Sequence, residues 1–190
     1  MIMLLKLTGK FPNTLNRFAI AMKKIHLILL VALVSLFEQA IGQTNLPKTV
    51  TRFGEARSSI LSGVAVPDGR AYYLTSGIVA PALDTTAPVD SRARYGDTKT
   101  QAIGILKRIE SDLKAQGLGL ADVIFLRVYV APDKQNGDKP DFKGWVEAYA
   151  EFFNNPKNPV KVARSTIGVS TLVSPEYLIE IEAVAVYPNK

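Results

Sequence analysis

Two hydrophobic rhythms run along the chain, and the points where they change mark out its elements. Ala102, Ile105, Leu106, Ile109 and Leu113 fall at i, i+3, i+4, i+7 and i+11, one apolar stripe of a helix. Asp97 can cap the start of that helix by accepting from its unpaired amides, and Gly117 can end it. From 123 to 130 the period drops to two. Ile124, Leu126, Val128 and Val130 share one face and Phe125, Arg127 and Tyr129 the other, the alternation of a strand. After a second candidate cap at Asp141, Phe142, Trp145, Tyr149, Phe152 and Phe153 return to helical spacing. An aromatic stripe of this kind reads as core rather than as a ligand box. Residues 154–159 break the helix.

Runs rich in β-formers occupy 60–66 and 71–79, joined by Pro67-Asp68-Gly69-Arg70, a hairpin signal. A shorter strand is expected at 49–53, and closing strands at 164–172 and 177–187. Residues 81–96 and 132–140 read as long loops, the second charged. The order β-β-α-β-α-β-β predicts a single α+β domain, two helices packed on one mixed, mostly antiparallel sheet. Two layers leave one sheet face bare, and association of copies is the expected cover.

Upstream of the domain the pattern is that of a targeting segment. Met22-Lys23-Lys24 precedes a largely apolar run of 13 residues, 25–37, and then Ala40-Ile41-Gly42. A basic start, a short apolar run and small residues before a cut form a secretory signal, with cleavage expected before Gln43 and Met22 as the expected start. The competing reading is a membrane anchor. Thirteen residues of helix rise only about 20 Å against a bilayer core of about 30 Å. The expected division is therefore 1–42 as extension and signal, 43–57 as an N-terminal arm and 58–190 as the domain, exported to the periplasm or beyond.

Composition changes meaning under that division. The 190 residues carry a formal charge of +6, but residues 1–42 hold five basic residues and one acidic, a net of +4. Positions 43–190 are close to neutral and give phosphate backbones little attraction, so neither a nucleic acid nor a membrane is an expected partner of the processed chain. There is no Cys, and the single histidine, His26, lies in the signal. The domain therefore has no Ser-His-Asp triad, no Cys-His pair and no His- or Cys-ligated zinc. What remains are carboxylates, cations, hydroxyls and backbone groups. Arg164 opens a strand and offers a planar fork for a carboxylate. Glu180 and Glu182 alternate with Ile179 and Ile181, so both carboxylates share a face where one could orient a water. Residue chemistry alone does not separate these from an ordinary solvated strand.

A wider pattern does bear on them. Thr75-Ser76-Gly77, Gln101-Ala102 opening the helix, Leu113…Gly117…Leu120-Ala121-Asp122-Val123, Tyr149…Phe152-Phe153, Ala163-Arg164-Ser165 and Ile179-Glu180-Ile181-Glu182-Ala183 occur in that order. Together they resemble the RidA/YjgF family of reactive-intermediate deaminases over roughly residues 58 to 187. The resemblance implies a homotrimer with a central barrel and ligand clefts between subunits. It also implies hydrolysis of enamines and imines derived from amino acids to 2-keto acids and ammonia, with no metal or organic cofactor. Arg164 then binds the substrate carboxylate, while Glu180 and the Thr166 carbonyl position water, and Ser76 and Gly77 shape the pocket. The chain departs from the family pattern at Ile60, Ile78 and Val146, where that pattern has polar or aromatic groups; these are expected to line a more apolar pocket. The Arg164-to-Glu180 interval is one residue longer than usual, which leaves Glu182 as the alternative carboxylate. A non-catalytic small-carboxylate binder, or a ribonuclease or translation inhibitor, are the competing functions.

Overall fold

The long helix forms where the apolar stripe predicts it, and the rest of the domain is arranged around it. In the computed structural model, residues 47–188 are described, together with positions 18, 22–24 and 26, which are helical. The apolar run of 25–37, His26 apart, and the cut before Gln43 lie outside the described residues. Among the described residues no helix is long and apolar enough to cross a membrane.

In chain order residues 47–188 hold β1 (Thr51–Phe53), which lies in the segment expected as an arm and pairs with β2 (Gly63–Ala65), then β3 (Tyr72–Leu74), β4 (Ile78–Val79), the short α1 (Arg92–Tyr95), α2 (Thr98–Ala115) and β5 (Val123–Val130). There follow β6 (Pro132–Asp133), β7 (Lys139–Pro140), α3 (Phe142–Phe152), β8 (Ala163–Gly168) and β9 (Ile179–Val186). Both caps act as the sequence suggests. Asp97 accepts from the Thr100 amide at 2.8 Å and Asp141 from the Gly144 amide at 2.9 Å. Gly117, at φ +72°, takes the left-handed turn past the end of α2. Ala102, Ile105, Leu106, Ile109 and Leu113 are all fully buried. Along α3 and its C-cap the stripe divides: Trp145, Tyr149 and the cap residue Phe153 are buried, whereas Phe142 is exposed.

The principal sheet has the order β3-β9-β5-β8, with β4 also pairing β9. Its pairs are antiparallel except β5–β8, which is parallel. Leu126, Val128, Ile179, Ile181 and Ala183 point from this sheet into a single core with α2 and α3. Among residues 47–188, helices cover only that face.

Three expectations need correction. The 67–70 turn does not close a hairpin, because β2 pairs with β1 while β3 pairs with β9. The turn carries the chain from one sheet to another. The run 71–79 is two strands, since at Thr75 the side chain intervenes: Thr75 Oγ1 accepts from the Ala183 amide at 2.9 Å, taking a ladder position from the backbone. The two long loops are partly ordered, one holding α1 and the other the β6–β7 ribbon.

Gln101 shows why a buried amide suits the start of α2. Its Oε1 accepts from the Leu178 amide at 2.9 Å and its Nε2 donates to the Glu176 carbonyl at 2.8 Å. Those bonds fix the chain just ahead of β9. A buried polar group satisfied on both sides holds its element in one register.

Candidate active site

Arg164 sits on the helix-covered face of the sheet. Its cross-strand neighbour is Leu126, which points into the core, so register alone sends the Arg164 side chain toward α3. There its guanidinium carbon lies 4.4 Å from the Tyr149 ring centroid and 5.4 Å from that of Trp145. The two rings meet edge to face at 5.8 Å. Burial pulls the Arg164 guanidinium below its ordinary pKa, opposed by the neighbouring Tyr149. The Tyr149 hydroxyl is pushed upward, mainly by its own burial. Arg164 Nη1 is buried and has no hydrogen-bond partner among the described residues. A buried donor without a partner is costly in a finished structure and is relieved by an anionic ligand.

Two residues further along β8, Thr166 faces the same side, and its Oγ1 accepts from Trp145 Nε1 at 3.3 Å. The tip of Phe142 lies over Gly168, so α3 runs along the strand with its rings spaced above alternate residues. At the other end, Tyr149 OH donates to the Ser59 carbonyl at 3.2 Å. That bond brings the 58–61 segment, Ile60 included, beside the Arg164 cradle.

Glu180 and Glu182 occupy the opposite, uncovered face. Glu180 pairs with Tyr129 and Glu182 with Arg127 across β5. Arg127 Nη1 donates to Glu182 at 2.9 Å and Tyr129 OH to its other oxygen at 3.3 Å. The Glu180 carboxylate, by contrast, makes no hydrogen bond or ion pair among the described residues. Its carboxylate lies over Gly77, where an added Cβ would overlap the carboxylate oxygen and approach its carbon to 2.7 Å. Gly77 therefore has no side chain because Glu180 occupies that space. The Thr75 interruption produces this geometry, ending β3 and leading Ser76 and Gly77, both exposed, across the carboxylate.

The family model for Endoribonuclease L-PSP matches residues 72–187, from β3 to just past β9. The chain belongs to the RidA/YjgF family. A curated relative, the RutC family protein PH0854 of Pyrococcus horikoshii, is 41% identical over 90 residues, 47% of this chain and 63% of that relative. Among solved structures, the Rid family protein YyfB of Yersinia pestis has a TM-score of 0.55 at 23% identity, covering 73% of this chain and 99% of its own. E. coli TdcF with bound serine is 26% identical with a TM-score of 0.48, over 75% of this chain and 100% of its own.

In this RidA/YjgF member, the residues singled out from sequence divide between the two faces. Arg164 and Thr166 lie under α3, with Ile60 and the 43% exposed Val146 on that side. Ser76, Gly77 and Glu180 lie together on the other. One chain does not bring Arg164 and Glu180 together. Ile78 is a correction: it pairs with Ile181 and packs against the core, so it faces away from the Gly77–Glu180 surface and does not line a pocket there. Glu182 is engaged by Arg127 and Tyr129, which leaves Glu180 as the unencumbered carboxylate. A cleft of about 720 Å³ between the 81–96, 132–140 and 169–177 segments contains the Arg92–Asp133 ion pair and none of these site residues. Sequence reasoning missed the roles of Thr75, Trp145 and Tyr149. Thr75 already stood in the Thr75-Ser76-Gly77 motif, and the aromatic spacing carried the other two, but ring contact with a cation has no sequence signal.

Proposed function

We propose that the protein hydrolyses reactive imines and enamines bearing a carboxylate to 2-keto acids and ammonia. The observation that carries this reading is the buried, unpartnered Nη1 of Arg164, a desolvated cation held by rings and lacking an anion. A substrate carboxylate supplies that anion. The enamine tautomerises to the imine, and in its protonated form the carbon is already electrophilic. Water adds there to give a carbinolamine, and C–N cleavage releases the ketone and ammonium, so a strong base is not needed. Positioning of water by Glu180 and the Thr166 carbonyl supplies the acceleration.

The working form is a homotrimer. Arg164 and Glu180 lie on opposite faces, and the face that carries Glu180 also presents Tyr72 (47% exposed), Leu74 (65%) and Ile167 (47%). Association covers this face and brings a second copy's Glu180 to the Arg164 side. We further propose export, on the basic–apolar–small pattern at 22–42.

The test is ammonia and keto-acid release from imines generated in situ, for the wild type and Arg164→Ala, with mass measured by sedimentation. Release abolished in the variant supports the reading. Equal release from both proteins overturns the site, and binding of 2-keto acids without turnover turns the reading into that of a carboxylate-binding module.

A further inference from the structure

Arg164 is held without a carboxylate. An acidic partner would occupy the donor fork and neutralise the charge that a ligand is to meet. A ring face attracts the cation without offering it an oxygen acceptor, and Nη1 is left without a partner among the described residues. Here two rings make a corner, Tyr149 at 4.4 Å and Trp145 at 5.4 Å from the guanidinium carbon.

Each ring is itself fixed by its polar edge. Tyr149 OH donates to the Ser59 carbonyl at 3.2 Å and accepts from the Val162 amide at 3.4 Å, and the ring stacks on Phe153 at 5.2 Å and 18°. Trp145 Nε1 donates to Thr166 Oγ1 at 3.3 Å. Thr166 lies two residues from Arg164 on the same strand face, so the strand that presents the cation also sets the angle of one ring against it. A single rigid frame of β8, α3 and the 58–61 segment therefore fixes the guanidinium plane.

We propose that Trp145 and Tyr149 are positioning residues for Arg164, and that the Thr166 hydroxyl sets the plane of Trp145. This rests on the reading of Arg164 as the carboxylate receptor. The frame acts on ground-state binding of the carboxylate, so its loss raises KM more than it lowers kcat.

The test uses pyruvate as probe, with its Kd measured by calorimetry beside steady-state kinetics on in situ imines. Trp145→Phe keeps a ring and loses the Nε1 bond, Tyr149→Phe keeps the ring and its stacking, and Thr166→Val keeps the β-branched shape without the acceptor. Trp145→Phe and Tyr149→Phe are each expected to weaken pyruvate binding by about tenfold and to raise KM in proportion, a change equivalent to one decade of affinity. Thr166→Val matches Trp145→Phe in pyruvate Kd, the two combined are no worse than either alone, and Thr166→Ser restores binding. Unchanged Kd in the ring variants, with Arg164→Ala abolishing binding, overturns this inference and leaves the carboxylate site standing. So does additivity of Trp145→Phe with Thr166→Val. If Arg164→Ala binds pyruvate as the wild type does, the functional reading falls and this inference falls with it.

Discussion

The two faces of the principal sheet treat charge in opposite ways. On the face under α3, one cation, Arg164, is surrounded by rings and its donor Nη1 is left without a partner. On the bare face, Arg127, Glu182 and Tyr129 satisfy one another across strands, and Glu180 alone stands apart over Gly77. The difference separates structural from functional charge. A charge that is exposed and paired costs little to hold and contributes little. A half-buried charge without a partner is retained at a cost in stability, and that cost is the signature of a site. By that criterion each face contributes one candidate group, and neither face is sufficient.

The largest expected effect comes from removing the rings' side of the contrast. Trp145→Ala empties a fully buried site and should lower stability by about 3–5 kcal/mol, read by urea unfolding. In dissociated chains the loss should exceed that of Leu74→Ala on the bare face by several-fold, since Leu74 is 65% exposed there. Equal losses would show that the bare face is as well packed as the covered one.

Gly77→Ala tests the isolated carboxylate. The added methyl meets the far end of a flexible side chain, so Glu180 can swing away and the fold should lose less than about 1 kcal/mol. Turnover should nevertheless fall by about 10²-fold, the scale of a displaced catalytic carboxylate, while pyruvate binding at Arg164 is retained. Melting temperature, kcat and Kd measured on one preparation separate these outcomes. Loss of binding together with turnover would place both groups' work on a single face.

Much of the covered face was legible from sequence because its signals are local. The stripe from Ala102 to Leu113, the caps at Asp97 and Asp141 and the alternation at 123–130 depend on neighbours within a few residues. Alternation also placed Glu180 and Glu182 together. It could not place Arg164 relative to them, because that depends on the register Leu126↔Arg164 and Tyr129↔Glu180 between distant strands. The same limit explains the mistaken 67–70 hairpin: the turn residues are right for a reversal, but β9 offers β3 a longer partner. Aromatic spacing correctly gave burial for Trp145 and Tyr149 and was silent on the cation between them. The outward turn of Ile78 toward an expected pocket failed for a related reason, since its pairing with Ile181 fixes it toward the core.

A smaller effect lies at the start of α2, the helix that closes the covered face. The Thr100 side chain and amide hold the Asp97 carboxyl below its ordinary value. A depressed carboxyl contributes stability above its unfolded pKa of about 3.9 and loses it as pH falls through the folded value. Asp97→Ala should cost about 1 kcal/mol at pH 7. The gap between wild type and variant should close below about pH 4, in unfolding curves collected from pH 7 to pH 3.

The smallest effect sharpens the comparison most, because it depends on whether the bare face stays bare. The Arg127 and Glu182 side chains are 48% and 29% exposed, and such a pair is worth about 0.2–1 kcal/mol and weakens with salt. A double-mutant cycle with Arg127→Met and Glu182→Gln should return that value for dissociated chains, falling between 50 mM and 1 M salt. Above the concentration at which copies associate, the same cycle should return a larger coupling that salt no longer reduces, since a covered pair is removed from the ions that screen it. Tyr129 remains as a donor to Glu182 when Arg127 is replaced, so the cycle reports the cation and not the loss of every donor. A coupling that stays small and salt-sensitive at all concentrations would mean that no second copy covers this face, and that Glu180 is never brought to the Arg164 side.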